Sequence, residues 1–352
     1  MEHKTRIKGN VHYVGVNDRN KHRFEGMWPL PYGVSYNSYL IDDEMVALVD
    51  TVDICYFEVY LRKIKQVIGE RPINYLIINH MEPDHSGSIR LIKQHYPEII
   101  IVGNKQTFGM IEGFYGVTGE QYLVKEGDFL ALGHHKLRFY MTPMVHWPET
   151  MMTFDETDGV LFSGDGFGCF GTVDGGFLDT RINVDKYWGE MVRYYSNIVG
   201  KYGSPVQKAL QKLGGLPISA ICSTHGPVWT ENIAKVIGIY DRLSRYDADE
   251  GVVIAYGSMY GNTEQMAEAI AEELSAQGVK NIVMHNVTKS HPSYIIADIF
   301  RYKGLIIGSP TYSNQIFPEV EALLSKILLR EVKGRYLGYF GSFTWAGAAV
   351  KR

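Results

Sequence analysis

Four potential metal ligands, His80, Glu82, Asp84 and His85, fall within six residues. They directly follow the apolar run Tyr75–Ile78, which has the length and character of a short buried strand. In an extended chain alternate side chains share a face, so His80, Glu82 and Asp84 are expected to converge. His85 then points elsewhere unless the chain turns, and Pro83 and Gly87 are residues that help it turn. One tight loop could thereby serve two neighbouring metal ions, a density of imidazole and carboxylate uncommon in a solvated loop. The same residues also suit a polar loop or a helix N-terminus, with Asp84 or Ser86 capping a helix over Ser88–His95.

Three further polar residues sit in comparable places. His146 lies in the stretch Thr142–Glu149 after the expected strand Lys136–Met141, Asp165 follows Gly159–Phe162, and His225 follows Ile218–Cys222. Each falls just beyond the C-terminal end of a strand, which is where α/β architectures place their chemistry. Each also has a plainer reading: His146 packing beside Trp147 and Pro148, His225 capping a turn. Asp165 adjoins Gly166, Gly168 and Gly171, a literal GxGxxG, but Thr172–Gly176 continues as loop where a dinucleotide site needs a helix.

The elements that must position these residues run through the first two-thirds of the chain. Strands are expected at Val11–Val16, Ser35–Ile41, Met45–Asp50 and Ile99–Val102, with a hairpin of Thr150–Phe154 and Gly159–Phe162. Helical spacing marks Tyr56–Ile68, Asp185–Val199 and Ser204–Leu213. At 352 residues and 45% hydrophobic content the chain can bury two cores, so two domains are expected, 1–246 and 252–352, around the charged linker Arg245–Gly251. The net charge of −4 without a basic run argues against a nucleic-acid partner. Cys55, Cys169 and Cys222 form no CxxC, which excludes a disulfide framework and a zinc-knuckle or rubredoxin-type site. No apolar stretch has the length of a membrane span, and Met1–Asn10 is charged rather than signal-like. A reducing, cytoplasmic setting without a membrane partner is therefore expected.

After the linker, strands at Val252–Tyr256, Ile282–His285, Gly304–Gly308 and Tyr336–Gly341 alternate with helices, the pattern of a doubly wound parallel sheet. Between the first strand and its helix lie Ser258, Met259, Tyr260, Gly261, Asn262 and Thr263. Small polar side chains and a glycine at a helix N-terminus make a nest for a phosphate, and the absence of a lysine excludes a Walker loop. Taken alone this is an ordinary capped helix. Two more loops follow strands: Ser309, Pro310, Thr311, Tyr312 and Asn314, then Ser342, Phe343, Thr344, Trp345 and Gly347. Each sets an aromatic among small polar residues, so a flat ring can be held between aromatics while backbone amides bind its edges. The three loops together point to flavin mononucleotide (FMN).

With both halves in view, residues 252–350 resemble a flavodoxin domain and residues 1–246 a metallo-β-lactamase-like αββα sandwich. In this order, with the set His80, Glu82, Asp84, His85, His146, Asp165 and His225, the chain resembles the flavodiiron proteins, cytoplasmic reductases of dioxygen or nitric oxide. The resemblance implies two iron ions: one on His80, Glu82 and His146, the other on Asp84, His85 and His225, with Asp165 bridging. It also implies FMN, a head-to-tail homodimer, and a rubredoxin or a reduced deazaflavin as electron donor. Tyr195 matches a tyrosine near the irons in relatives, although Tyr194 is a rival by register and a core aromatic is the plainer role for either. Metallo-hydrolase relatives carry a histidine where this chain has Glu82. The added carboxylate makes the donor set harder and more anionic, which suits iron better than zinc. Two other readings stand beside it, a dizinc hydrolase fused to a flavodoxin and a non-catalytic flavin electron carrier. The span 252–352 is short for a complete flavin domain of about 150 residues, so a sheet one strand short, or a sequence that is a fragment, is expected.

Overall fold

The computed structural model of the chain describes residues 5–350, so the outermost residues of the spans 1–246 and 252–352 lie outside the described range. The chain divides into two compact units. One holds the residues up to Met191 together with Ser204–Asp241; the other holds Val192–Gly203 and the residues from Arg242 onward. The second unit thus takes in a stretch that the sequence alone places within 1–246.

Among the described residues the first unit has two large sheets and two two-stranded ribbons, Val16–Asp18 with Val34–Tyr36 and Arg23–Phe24 with Trp28–Pro29. Seven strands run in the order Arg6–Lys8, Val11–Tyr13, Tyr39–Ile41, Ala47–Val49, Tyr75–Ile77, Ile100–Gly103 and Gln121–Leu123. Five form the other sheet: Phe129–Ala131, Lys136–Met141, Met151–Asp155, Val160–Gly164 and Ala220–Ser223. Tyr39, Val49 and Ile77 of one sheet share a core with Leu137, Phe139 and Phe162 of the other. The alternating residues Leu40, Leu48 and Leu76 are also buried, so the first sheet is covered on both faces. The helix Phe57–Ile68 shows why the sequence chooses this arrangement. Its buried residues Phe57, Tyr60, Leu61, Ile64 and Ile68 recur every three or four positions, one apolar stripe on a charged helix. Each such side chain contributes about 1.5–3 kcal/mol on burial. The paired large sheets with their covering helix fit the αββα sandwich that the resemblance implied.

At the far end of the second sheet, His135 Nδ1 pairs with Asp155 Oδ2 at 2.9 Å, with Asp158 Oδ2 4.0 Å away. Burial alone would lower the imidazole's pKa, but Asp155, with help from Asp158 and Asp43, raises it above the ordinary value. A histidine raised on folding stabilises the protein fully below its unfolded pKa of about 6.5, and that contribution is lost as pH rises through the raised value. The stability difference between wild type and His135→Gln is therefore expected to be largest in mildly acidic buffer and to shrink in alkaline buffer. Denaturant titrations at several pH values check this; a difference that grows with pH contradicts it.

The second unit carries parallel strands in the order Ile282–Asn286, Asp249–Tyr256, Tyr302–Tyr312 and Tyr336–Ser342, a flavodoxin-like sheet. Val253, Ala255, Leu305 and Ile307 pack with Ile295 and Ile299 in one core, while Ile254 and Tyr256 pack with Ala267 in another. Alternate residues on the same strands thus serve both faces, as a doubly wound sheet requires. The expected helix Asp185–Val199 ends at Tyr194, and Tyr195–Val199 continues as one π-helical turn. No helix among the described residues is long and apolar enough to cross a membrane.

Candidate metal centre and flavin loops

All seven metal candidates lie in the first unit, at or beyond the C-terminal ends of four strands. The strand Tyr75–Ile77 leads into Asn79, His80 and Glu82, and the chain then turns. Glu82 is the N-cap of the short helix Pro83–Ser86, whose first position is the proline. This corrects the expectation that His80, Glu82 and Asp84 converge. The extended geometry lasts only through Glu82; the helical turn begun by Pro83 carries Asp84 and His85 to a second point.

The two points are well defined. At the first, His146 Nε2 lies 3.2 Å from Glu82 Oε2 and 3.0 Å from Asp165 Oδ2. His80 Nε2 lies 3.4 Å from His146 Nε2, 3.7 Å from Glu82 Oε2 and 3.6 Å from Asp165 Oδ2. At the second, His85 Nε2 is 3.6 Å from Asp84 Oδ1 and 3.2 Å from Asp165 Oδ1, and His225 Nε2 is 3.3 Å from Asp84 Oδ2 and 3.6 Å from Asp165 Oδ1. Asp165 therefore turns one oxygen to each group. Donor atoms about 2.0–2.2 Å from a shared metal stand roughly 3–3.5 Å from one another, so both groups have the spacing of a coordination shell.

Chemistry supports the geometry. Both oxygens of Asp84 and both ring nitrogens of His85 are buried without a hydrogen-bond partner, a cost of about 1–3 kcal/mol per unmet group unless a cation meets them. Burial opposes charge on the imidazoles, yet Asp84 and Asp165 raise His85 to about 10, and Asp165 and Glu82 raise His146 to about 10. Asp165 is held well below the usual carboxylate range despite its burial, by His85 and His146. The carboxylates thus create a field that demands positive charge, which two metal cations satisfy.

The rings are aimed by groups that the sequence reading did not single out. Glu149 Oε1 lies 2.6 Å from His80 Nδ1 and accepts from Met81 N at 2.9 Å. His225 Nδ1 meets the Ser35 carbonyl at 2.7 Å, and Gly226, at φ +81°, has its α-carbon so close to Cys169 that a Cβ there would lie 2.3 Å from the sulfur. Asp50 accepts from Asn79 N at 2.8 Å and Asn79 Nδ2 at 3.0 Å, fixing the start of the ligand loop. Thr224 donates to Asp165 Oδ1. A cavity of about 470 Å³ opens onto the pair; Glu82 and Asp84 line it with Lys21, Glu25 and Arg90 and the apolar Phe24, Ile54 and Phe114.

The flavin candidates lie in the second unit. A cleft of about 320 Å³ is lined by Met259, Tyr260, Asn262, Pro310, Thr311, Asn314, Ser342, Phe343, Thr344 and Trp345, joined by Ser313 and Ala346. Tyr260 is 91% exposed and Trp345 86%, an exposure for large rings that a stacked ligand would relieve. Gly261, at φ +91°, caps the helix Asn262–Ala276, and Ser258 Oγ accepts its N–H at 3.1 Å. Thr263 Oγ1 and Ser342 Oγ are 2.8 Å apart, so the first and third loops are tied together. Ser309 is buried and bonded to Pro310 O and Phe317 N, Tyr312 packs edge-on to Phe317, and Gly347 lies against the Phe343 ring. These three, with Ser258, Gly261 and Thr263, shape the loops rather than line the cleft. Tyr195 is not among the residues gathered around Asp165; it is buried in the second unit with its ring edge-on to Phe300 at 6.2 Å.

Comparisons with known proteins agree with both halves. The ODP family beta lactamase matches residues 34–226, and the flavodoxin family matches residues 254–352. An anaerobic nitric oxide reductase flavorubredoxin of Vibrio vulnificus is 33% identical over 98% of the chain and 71% of its own length. Among solved structures, rubredoxin oxygen:oxidoreductase from Desulfovibrio gigas superposes with a TM-score of 0.94 at 32% identity, over 99% of this chain and 87% of that one. The flavodiiron protein of Giardia intestinalis gives 0.93 at 29% identity, over 97% and 84%.

Proposed function

Because the chain belongs to the flavodiiron protein family, we propose that it reduces nitric oxide to nitrous oxide, dioxygen to water, or both, at a pair of irons fed by FMN. The observation that carries this reading is the split of Asp165, one oxygen to each of two complete donor groups. His80, Glu82 and His146 would hold one iron, Asp84, His85 and His225 the other, and Asp165 both. When bound, the irons would supply the site for gas binding and reduction, and FMN would supply the electrons.

This chain's own residues set the conditions. Glu82 and Asp84 are the ligands on the cavity wall, so the gas approaches from the carboxylate side, away from the imidazoles. Phe24, Ile54 and Phe114 restrict water there, while Lys21 and Arg90 offset the negative charge of the mouth. Reduction of two nitric oxides consumes two electrons and two protons; reduction of dioxygen to water consumes four of each.

In the proposed organisation residues 1–246 form the diiron domain and residues 252–352 the FMN domain. Rubredoxin is the electron donor that the relatives' names support, with a reduced deazaflavin as the other candidate. A cytoplasmic location and a head-to-tail homodimer are carried over from the family resemblance, and Tyr195 is a buried aromatic rather than a catalytic group. Anaerobic turnover with each gas tests the reading.

The phosphate nest gives its own prediction. Thr263 sits in the first turn of Asn262–Ala276 and is buried, its hydroxyl 2.8 Å from that of Ser342 on the cleft wall, and on this reading it would donate to the FMN phosphate. Thr263→Ala is expected to weaken FMN binding by about 1.5–3 kcal/mol, the range for a hydrogen bond to a charged group. Fluorescence titration of apoprotein with FMN measures it, and unchanged affinity contradicts it.

A further inference from the structure

The two metal groups share Asp165 but are backed differently. On one side His80 turns Nε2 to the metal group, so Nδ1 carries the proton and donates it to Glu149 Oε1 at 2.6 Å. Glu149 is fully buried, and its other oxygen has no hydrogen-bond partner. On the other side His225 Nδ1 donates to a neutral acceptor, the Ser35 carbonyl, at 2.7 Å, and His85 Nδ1 has no hydrogen-bond partner. The ligating carboxylates are balanced, Glu82 against Asp84, with Asp165 common to both. Asp50, the other buried carboxyl nearby, is engaged by Asn79 and the His80 backbone and makes no hydrogen bond to either imidazole. Among the described residues Glu149 is the one carboxylate hydrogen-bonded to the far ring nitrogen of a ligating imidazole, while Asp50 acts on His85 through space alone.

A carboxylate behind a metal-bound imidazole makes the ring more basic and its metal more electron-rich, and in a buried site that charge is weakly screened. We infer that Glu149 makes the two irons inequivalent, giving the iron on His80, Glu82 and His146 the lower reduction potential. With irons bound, one-electron oxidation of the diferrous pair by a mediator would take the first electron from the iron held by His80, Glu82 and His146. The second electron leaves the iron on Asp84, His85 and His225 at a higher potential. No bond or proton changes hands. At half-oxidation the remaining ferrous ion would be the one beside Asp84, which lines the gas cavity together with Glu82. The inference rests on the diiron reading above.

The test is a redox titration of the full chain, FMN bound and loaded with iron-57, read by Mössbauer spectroscopy, which reports iron and not flavin. Wild type is expected to show two separated one-electron steps. Glu149→Gln keeps an acceptor for the imidazole but removes the charge, so the lower step should move upward and the gap narrow with two irons still bound. If Glu149→Gln fails to hold iron, Glu149→Asp decides: a gap kept as in wild type supports the inference, and a collapsed gap overturns it. Wild-type irons that titrate together overturn it, as does a Gln variant in which the lower step stays put. Elemental analysis that finds no pair of irons in wild type would instead overturn the diiron reading itself.

Discussion

Asp165→Ala is expected to yield a protein depleted in both irons and without measurable gas turnover. The carboxylate is the one donor common to both groups, with Oδ2 3.0 Å from His146 Nε2 and Oδ1 3.2 Å from His85 Nε2. Groups that only support a ligand typically cost 10- to 100-fold in metal affinity, so losing a shared ligand should cost more than about 100-fold at each ion. Removal also deprives His85 and His146 of an anion that offsets their burial. Elemental analysis after purification from iron-replete medium measures the load. Two irons retained by the variant would contradict the bridging role, and two zincs in wild type would favour a hydrolase.

The second large effect is expected on mixing inactive variants. The flavin loops belong to one unit and the metal groups to the other, and in the proposed head-to-tail dimer each subunit's flavin would serve its partner's irons. A two-fold arrangement makes both crossed contacts with one self-complementary interface. Asp165→Ala mixed with the double variant Thr263→Ala, Trp345→Ala should form heterodimers with one intact crossed pair. Their turnover should rise far above that of either parent. Mixed dimers verified by mass that remain as inactive as their parents would contradict the crossed arrangement, as would full activity in a strictly monomeric protein.

Much of this architecture is legible in the residues. A short apolar run marks the strand around Tyr75–Ile77 and apolar–polar alternation the strand Lys136–Met141, and ligands cluster where the strands stop, because only there does an α/β fold free side chains to converge. The three flavin loops are legible for the same reason. What the sequence hides is local. The helix Lys105–Tyr115 escapes notice because Gly109 and Gly113 depress its propensity, although Asn104 caps it through the N–H groups of Gln106 and Thr107. The turn at Pro83 defeats the assumption of an extended ligand loop. Glu149 and Asp50 carry no signal as ligands, because they act through His80 and Asn79, and a supporting residue is recognised only when the atom it supports has been placed. The π-helical turn at Tyr195–Val199 leaves no mark in apolar spacing, which reads the whole of 185–199 as one helix.

The account's central claim is tested most directly by supplying the protein, anaerobically and with FMN and iron bound, with reduced rubredoxin and measured nitric oxide or dioxygen. The expected result is catalytic consumption of at least one gas, with nitrous oxide or water as the product. Donor oxidation should match two electrons per nitrous oxide or four per dioxygen, and Asp165→Ala should abolish it. A protein that carries two irons and FMN, accepts electrons from the donor, and yet consumes neither gas would contradict the account.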